Sequence, residues 1–395
     1  MRLTYYIFLL GFISQLGAQQ AFKPGKVIDS IPVSNTANET FALYLPTSFE
    51  PSNESPILFI FDPGGRGRIG VETFIEASES YGHILVCSND SRNAPYERNF
   101  NIAANLFDHI FSRFTIDKNQ MVLAGFSGGS RLAWAIALAA GNLTGVIACG
   151  AGVSEASPAI LQKQEFSYAG ICGNSDMNFG EMLDVKTYLT NKKISNTLFT
   201  FDGGHDWPPA AEINRAFEWL AIESHIKGKK VKTEEELQKS FRLTYEFAKK
   251  SEADADILKV AEHYERILST YGSIYKLDTI SSHLNLLKKE SAYKRALKSR
   301  TKALAEEKEW TRIFYERFNS DYNQPQNADM AWWNKKLTQL NDKYANAEIE
   351  YQRMLERVQF NLFAIAYSRN NPLIYKSSEE QKKFCIALGK LVSPN

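Results

Sequence analysis

The sequence predicts an α/β unit followed by an all-α unit. Three observations carry this. From Thr40 to about Ile226 short β-rich runs alternate with helical patterns, and from Thr233 onward helix formers dominate, with apolar residues at three- and four-residue spacing. Between them lies a basic, polar stretch, Lys227-Gly228-Lys229-Lys230-Val231-Lys232. Several of the β-rich runs are apolar on both faces, which marks a mostly parallel sheet covered by helices on both sides.

The segments follow in order. Arg2 precedes an apolar run from Tyr5 to Ile13, then polar Ser14 and Gln15, and small residues Gly17 and Ala18 before Gln19. This is the anatomy of a secretory signal peptide over residues 1–18, and its apolar run falls below the roughly 20 residues that span a bilayer. The expectation is an exported protein, periplasmic or extracellular, with no stable membrane span. Strands are expected at 41–45, 57–61, 84–87, 121–124, 145–149, 168–172 and 197–201, with helices at 101–114, 130–140, 180–190 and 210–226, giving one α/β domain over 19–226.

Residues 227–232 read as a linker. Thr233-Glu234-Glu235-Glu236 then has the form of a capping box opening a helical domain over 233–395. Breaks near Gly272, Pro325 and Pro372 divide that domain into five to seven helices. Ala261, Tyr264 and Ile267 give it a loose resemblance to tetratricopeptide helix pairs, but no 34-residue self-similarity accompanies them, so amphipathic helices packed on one another are expected.

Composition excludes several functions. With 44% hydrophobic and 23% charged residues, and 46 Lys+Arg against 45 Asp+Glu, the 395-residue chain is neither disordered nor a strongly basic nucleic-acid binder. The neutrality is partly a cancellation: residues 232–395 hold 28 basic and 23 acidic groups, and residues 1–231 hold 18 and 22. Cys87, Cys149, Cys172 and Cys385 form no CxxC pair and no metal-ligand spacing. Three lie in expected strands, where packed thiols are expected, although export would permit a disulfide, with Cys149 and Cys172 the first pair to test.

The chemistry concentrates after the expected strands. Gly125-Phe126-Ser127-Gly128-Gly129 follows one strand and precedes a helix, the setting of a nucleophile elbow, in which a sharp turn projects the serine Oγ above the sheet. Asp176 follows the strand at 168–172, and His205 follows the strand at 197–201 within Gly204-His205-Asp206-Trp207-Pro208. Ser, acid and His thus occur in the order a Ser-Asp-His triad takes on such a sheet. Asp202 and Asp206 flank the histidine, but a carboxylate so close in sequence generally cannot turn toward Nδ1. Trp207 is expected to pack under the loop. His83, His109, His225, His263 and His283 show no ligand spacing and are expected to be structural or solvated.

On these motifs, residues 40–226 resemble the α/β-hydrolase superfamily, and within it secreted esterases of the polyhydroxybutyrate-depolymerase and feruloyl-esterase kind. The resemblance implies catalytic roles for Ser127, Asp176 and His205, and no cofactor. It also implies an oxyanion hole built from the backbone N–H of Gly128 and a donor in the loop Asp62-Pro63-Gly64-Gly65-Arg66-Gly67. Where the family usually has His-Gly this chain has Asp62-Pro63, and proline has no N–H, so Gly64 or Gly65 is the expected second donor.

Gly65-Arg66-Gly67-Arg68-Ile69-Gly70 also matches GxGxxG, with Asp90 after the next strand. Asp62 and Pro63 intervene between the strand and the first glycine of the loop, and the motif lies well inside the domain, so an oxyanion loop explains the glycines better than dinucleotide binding. Arg66 and Arg68 could then contact an anionic substrate or simply be solvated.

The implied activity is that of a serine hydrolase cleaving a small-molecule or polymeric ester. A peptidase using the same triad, and an inactive hydrolase-fold binding protein with a helical partner-binding tail, are the alternatives. Loops such as 90–100 and 174–182 shape the pocket. The sequence leaves open whether the helical domain lids the site, recruits a polymer, binds a protein partner or self-associates.

Overall fold

In a computed structural model, residues 22–141, 143–153, 158–161, 164–254 and 256–392 are described, and the expected export signal lies outside them. Eight strands form one sheet: β1 Val27–Pro32, β2 Thr40–Tyr44, β3 Ser55–Phe61, β4 Ile84–Ser88, β5 Ile116–Phe126, β6 Gly145–Cys149, β7 Ser167–Gly173 and β8 Asn196–Phe201. Their spatial order is β1-β2-β4-β3-β5-β6-β7-β8. The β1–β2 and β2–β4 pairs are antiparallel and every other pair is parallel. The expected mostly parallel sheet with helices is therefore present, with helical segments after it.

Helices α1 Gly67–Thr73, α2 Ile75–Tyr81, α3 Tyr96–Arg113, α4 Gly128–Ala140, α5 Pro158–Leu161, α6 Phe179–Asn191 and α7 Ala210–Ile226 accompany the sheet. Alternation along each strand divides the core in two. Phe59, Phe61, Leu123 and Val146 face Leu106, Ile110 and Leu132 of α3 and α4, whereas Leu58, Ile60, Ala124 and Ile147 face Val71, Phe217 and Leu220 of α1 and α7. Both faces are buried, which is why these strands read as continuous apolar runs.

Two local readings differ from the structure. β1 lies outside the expected strands: it is a half-exposed edge strand whose pairing shifts between Ile28 and Ile31, with Ser30 at a φ of 58°, so it lacks clean alternation. α3 begins at Tyr96, so the expected loop at 90–100 is half helix. The cysteines are packed thiols as expected: all four are free and buried, with Cys149 on β6 and Cys172 on β7 not joined.

The rest is helical: α8 Glu234–Ser251, α9 Ile257–Tyr271, α10 Asp278–Lys289, α11 Ser291–Asn323, α12 Met330–Tyr344, α13 Ile349–Ser368 and α14 Glu379–Val392. The capping box forms as its sequence predicts, with Thr233 Oγ1 accepting from the Glu236 N–H and the Glu236 carboxylate accepting from the Thr233 N–H. One cluster joins Leu237, Tyr264, Ile267 and Leu284 to Ile222 of α7, and a second joins Phe314, Trp333, Leu362 and Phe384.

Besides these apolar contacts, polar groups tie the helices to the sheet unit. Arg266 of α9 donates to Thr197 Oγ1 at 2.9 Å and to the Leu198 carbonyl at 2.6 Å, covering the β8 edge, which would otherwise offer unpaired backbone groups. The basic stretch at 227–232 is also tied down: Lys227 Nζ reaches the Glu165 carbonyl and Ser167 Oγ, and Lys229 Nζ reaches the Leu143 carbonyl.

Candidate active site

In open α/β sheets the crevice at the strands' carboxyl ends opens where the order reverses. Here β3 stands between β4 and β5, and the loops after β3, β5, β7 and β8 gather at that end. Ser127, between β5 and α4, has φ 52° and ψ −119°, a conformation L-residues rarely adopt and one the neighbouring structure must hold in place. The flanking glycines permit it. A Cβ on Gly125 would overlap the Gly129 carbonyl, and one on Gly129 would overlap the Phe61 carbonyl of β3.

Three side chains from three loops form one hydrogen-bonded line. His205 Nε2 lies 2.9 Å from Ser127 Oγ, and His205 Nδ1 lies 2.9 Å from each carboxylate oxygen of Asp176. Asp176 is fully buried, and its turn is fixed by its own N–H on the Gly173 carbonyl and by Oδ1 accepting from the Asn178 N–H. Ser127 remains partly accessible. Of the other two acids, Asp202 points to solvent with Arg353 3.7 Å away, and Asp206 accepts from the Trp207 N–H. Neither bonds to the imidazole.

The loop after β3 departs from expectation. Gly64 donates its N–H to Asp62 Oδ1 at 2.8 Å and Gly65 donates to the Asp62 carbonyl at 3.1 Å, so both N–H groups are already committed in this arrangement. The cause is Asp62 itself. Its carboxylate is 1% exposed and, as a buried charge, must collect donors. It takes Arg66 Nε and Nη2 at 2.9 Å and Trp207 Nε1 at 3.2 Å as well. Trp207 thus packs beneath the loop, its ring against Phe74 and Phe126. Arg68 pairs with Glu72 at 3.2 Å, so both loop arginines have carboxylate partners within the chain.

Gly128, the first residue of α4, is among the N–H groups that a helix leaves without an intrahelical acceptor. The carboxamide of Asn93 packs directly on it, since a Cβ there would coincide with Asn93 Oδ1. Asn93 is held by its N–H on the Pro63 carbonyl at 2.8 Å and by its carbonyl accepting from Asn371 Nδ2 at 2.8 Å.

Two more residues come from the helical segment. Phe360 of α13 places its ring 5.3 Å from the His205 ring, and Arg357 donates to the Asn174 carbonyl at 2.7 Å, two residues before Asp176. The sequence marked the loop of Asn93 as pocket-shaping but gave no sign of Arg357, Phe360 or Asn371, whose partners are remote in sequence.

Among the described residues no group of His, Cys, Asp or Glu is arranged to hold a metal ion, and no helix is long and apolar enough to cross a membrane. His109 meets Ser34, His225 accepts from the Lys232 N–H, and His263 accepts from Arg215 and Arg266.

No family model matches the chain, and no curated protein matches it. Solved structures do. A fluorophosphonate-binding serine hydrolase of Staphylococcus aureus matches at a TM-score of 0.43 and 14% identity, over 50% of this chain and 99% of that one. A ferulic acid esterase matches at 0.41 and 17%, over 50% and 98%. The feruloyl esterase module from Clostridium thermocellum matches at 0.41 and 12%, over 49% and 88%.

Proposed function

We propose that this protein is an exported serine hydrolase that cleaves a carboxylic ester through an acyl-enzyme on Ser127. The observation that carries the proposal is the unbroken line of 2.9 Å hydrogen bonds from buried Asp176 through His205 to a serine held at positive φ. Ser127 Oγ attacks the acyl carbon while His205 Nε2 takes its proton. Asp176 accepts from Nδ1–H, fixes that tautomer and stabilises the imidazolium. The tetrahedral intermediate then expels the alcohol, which recovers the proton from Nε2. Water, activated by the same imidazole, releases the acid.

The oxyanion needs donors in place before it forms. The Gly128 N–H is one. With Gly64 and Gly65 committed to Asp62, the second in this proposal is the carboxamide of Asn93, which is packed on Gly128 and can present Nδ2 by an amide flip. The roles are tested by labelling with a fluorophosphonate probe and by p-nitrophenyl acetate turnover. Labelling and turnover in the wild type, both abolished in Ser127→Ala, are expected. A wild type that neither labels nor turns over, or an unaffected Ser127→Ala, overturns the proposal.

A further inference from the structure

Helix α13 and the turn after it lie along the active site, and three of their residues each meet a different part of it. Arg357, buried at 1% exposure, holds the Asn174 carbonyl in the acid loop at 2.7 Å. Phe360 lies against the base, His205, at 5.3 Å between ring centroids. Asn371 bonds to the Asn93 carbonyl at 2.8 Å beside Gly128. The segment is thus anchored at both ends, and between the anchors it presents aromatic side chains in sequence. Phe360 packs on Phe363 at 5.8 Å and Phe363 stacks on Tyr367 at 6.0 Å. Their spacing of three and four residues puts them on one helix face. Phe360 and Phe363 are half-buried, and Tyr367 is exposed.

The imidazole that hands a proton to the leaving alcohol must stand beside that alcohol. Of the two phenylalanine rings packed on His205, Phe126 at 4.7 Å is buried and Phe360 at 5.3 Å is half-buried, so Phe360 is the one with surface left for the alcohol to meet. We propose that Phe360, continued by Phe363 and Tyr367, is the wall that receives the alcohol portion of the substrate and selects esters of apolar or aromatic alcohols over those of small ones. This rests on the serine-hydrolase proposal above. It gives the helical segment a part in substrate selection, with Phe360 as a specificity-determining residue.

The test compares kcat/KM for methyl acetate and benzyl acetate, which share an acyl group, in the wild type, Phe360→Ala and Phe360→Leu. The wild type is expected to favour benzyl acetate, and Phe360→Ala to lose about tenfold of that preference, the scale of discrimination an apolar pocket supplies, with Phe360→Leu between them. The preference between acetate and butyrate esters of one alcohol should stay within about twofold. Fluorophosphonate labelling of each variant shows that the site is assembled. An unchanged benzyl-to-methyl ratio in labelled variants overturns the proposal, as does a shift confined to acyl preference. A wild type that does not label overturns the serine-hydrolase proposal instead, so the two failures are distinct.

Discussion

Arg357 Nη1 donates to the carbonyl of Asn174 across 183 residues of sequence, joining α13 to the loop that carries Asp176. The same guanidinium gives Nε to Glu307 of α11 at 2.8 Å, and burial pushes the Glu307 carboxyl above its usual range. Removing one partner of a buried pair leaves an uncompensated charge. Arg357→Met should therefore cost about 3–5 kcal/mol in urea unfolding, and Arg357→Met with Glu307→Met should recover most of it. A double variant no more stable than Arg357→Met would contradict this account.

Asn93 yields a kinetic prediction. A donor that bonds only the transition-state oxyanion affects kcat and leaves ground-state binding nearly untouched. Asn93→Ala should lower kcat for p-nitrophenyl acetate by about 10²-fold or more, with KM little changed. Fluorophosphonate labelling of Asn93→Ala should slow without being abolished, because Ser127 and His205 remain in place. A rate within about twofold of wild type would place the second donor elsewhere.

Most of the sheet was legible in the sequence because a parallel strand buried on both faces writes its burial as an unbroken apolar run. Gly145–Cys149 appears at its expected limits, whereas β1 does not read as a strand because an edge with a bulge has no such constraint. That Ser127, Asp176 and His205 should meet could be expected because each lies in the loop after a strand, so local sequence locates it on the sheet. Asn93 and Phe360 could not. Their relation to Gly128 and His205 arises from how distant segments pack, and a buried Asp62 that claims the N–H groups of Gly64 and Gly65 is likewise a tertiary fact.

The glycines of the site differ sharply in tolerance. A Cβ on Gly129 would overlap the Phe61 carbonyl, a backbone atom that cannot swing away, whereas a Cβ on Gly204, next to His205, meets nothing within 4 Å. Gly129→Ala should abolish soluble expression or lower Tm by more than about 10 °C, and Gly204→Ala should stay within about 2 °C of wild type. Thermal unfolding of both variants checks this, and equal effects would contradict the geometry.

His263 sets an acid limit on stability. Its Nδ1 accepts from Arg215 Nη2 at 2.9 Å and Arg266 Nη1 at 3.1 Å, which requires a neutral ring. Burial, reinforced by those guanidinium groups, pushes the imidazole down to about 2, and burial likewise holds His83 down to about 3. In the unfolded chain both titrate near 6.5. Below that pH the unfolded state binds protons that the folded state refuses, so the contribution is intact above about 6.5 and is lost as pH falls toward the folded values. The slope approaches about 1.4 kcal/mol per pH unit for each histidine. His263→Gln keeps an acceptor for the arginines but does not titrate. Burial also holds the His109 imidazole below its usual range, so urea unfolding between pH 7.5 and pH 5 should lose about a third to a half of its histidine-linked pH dependence in His263→Gln. An identical pH slope in variant and wild type would show that His263 is not held neutral.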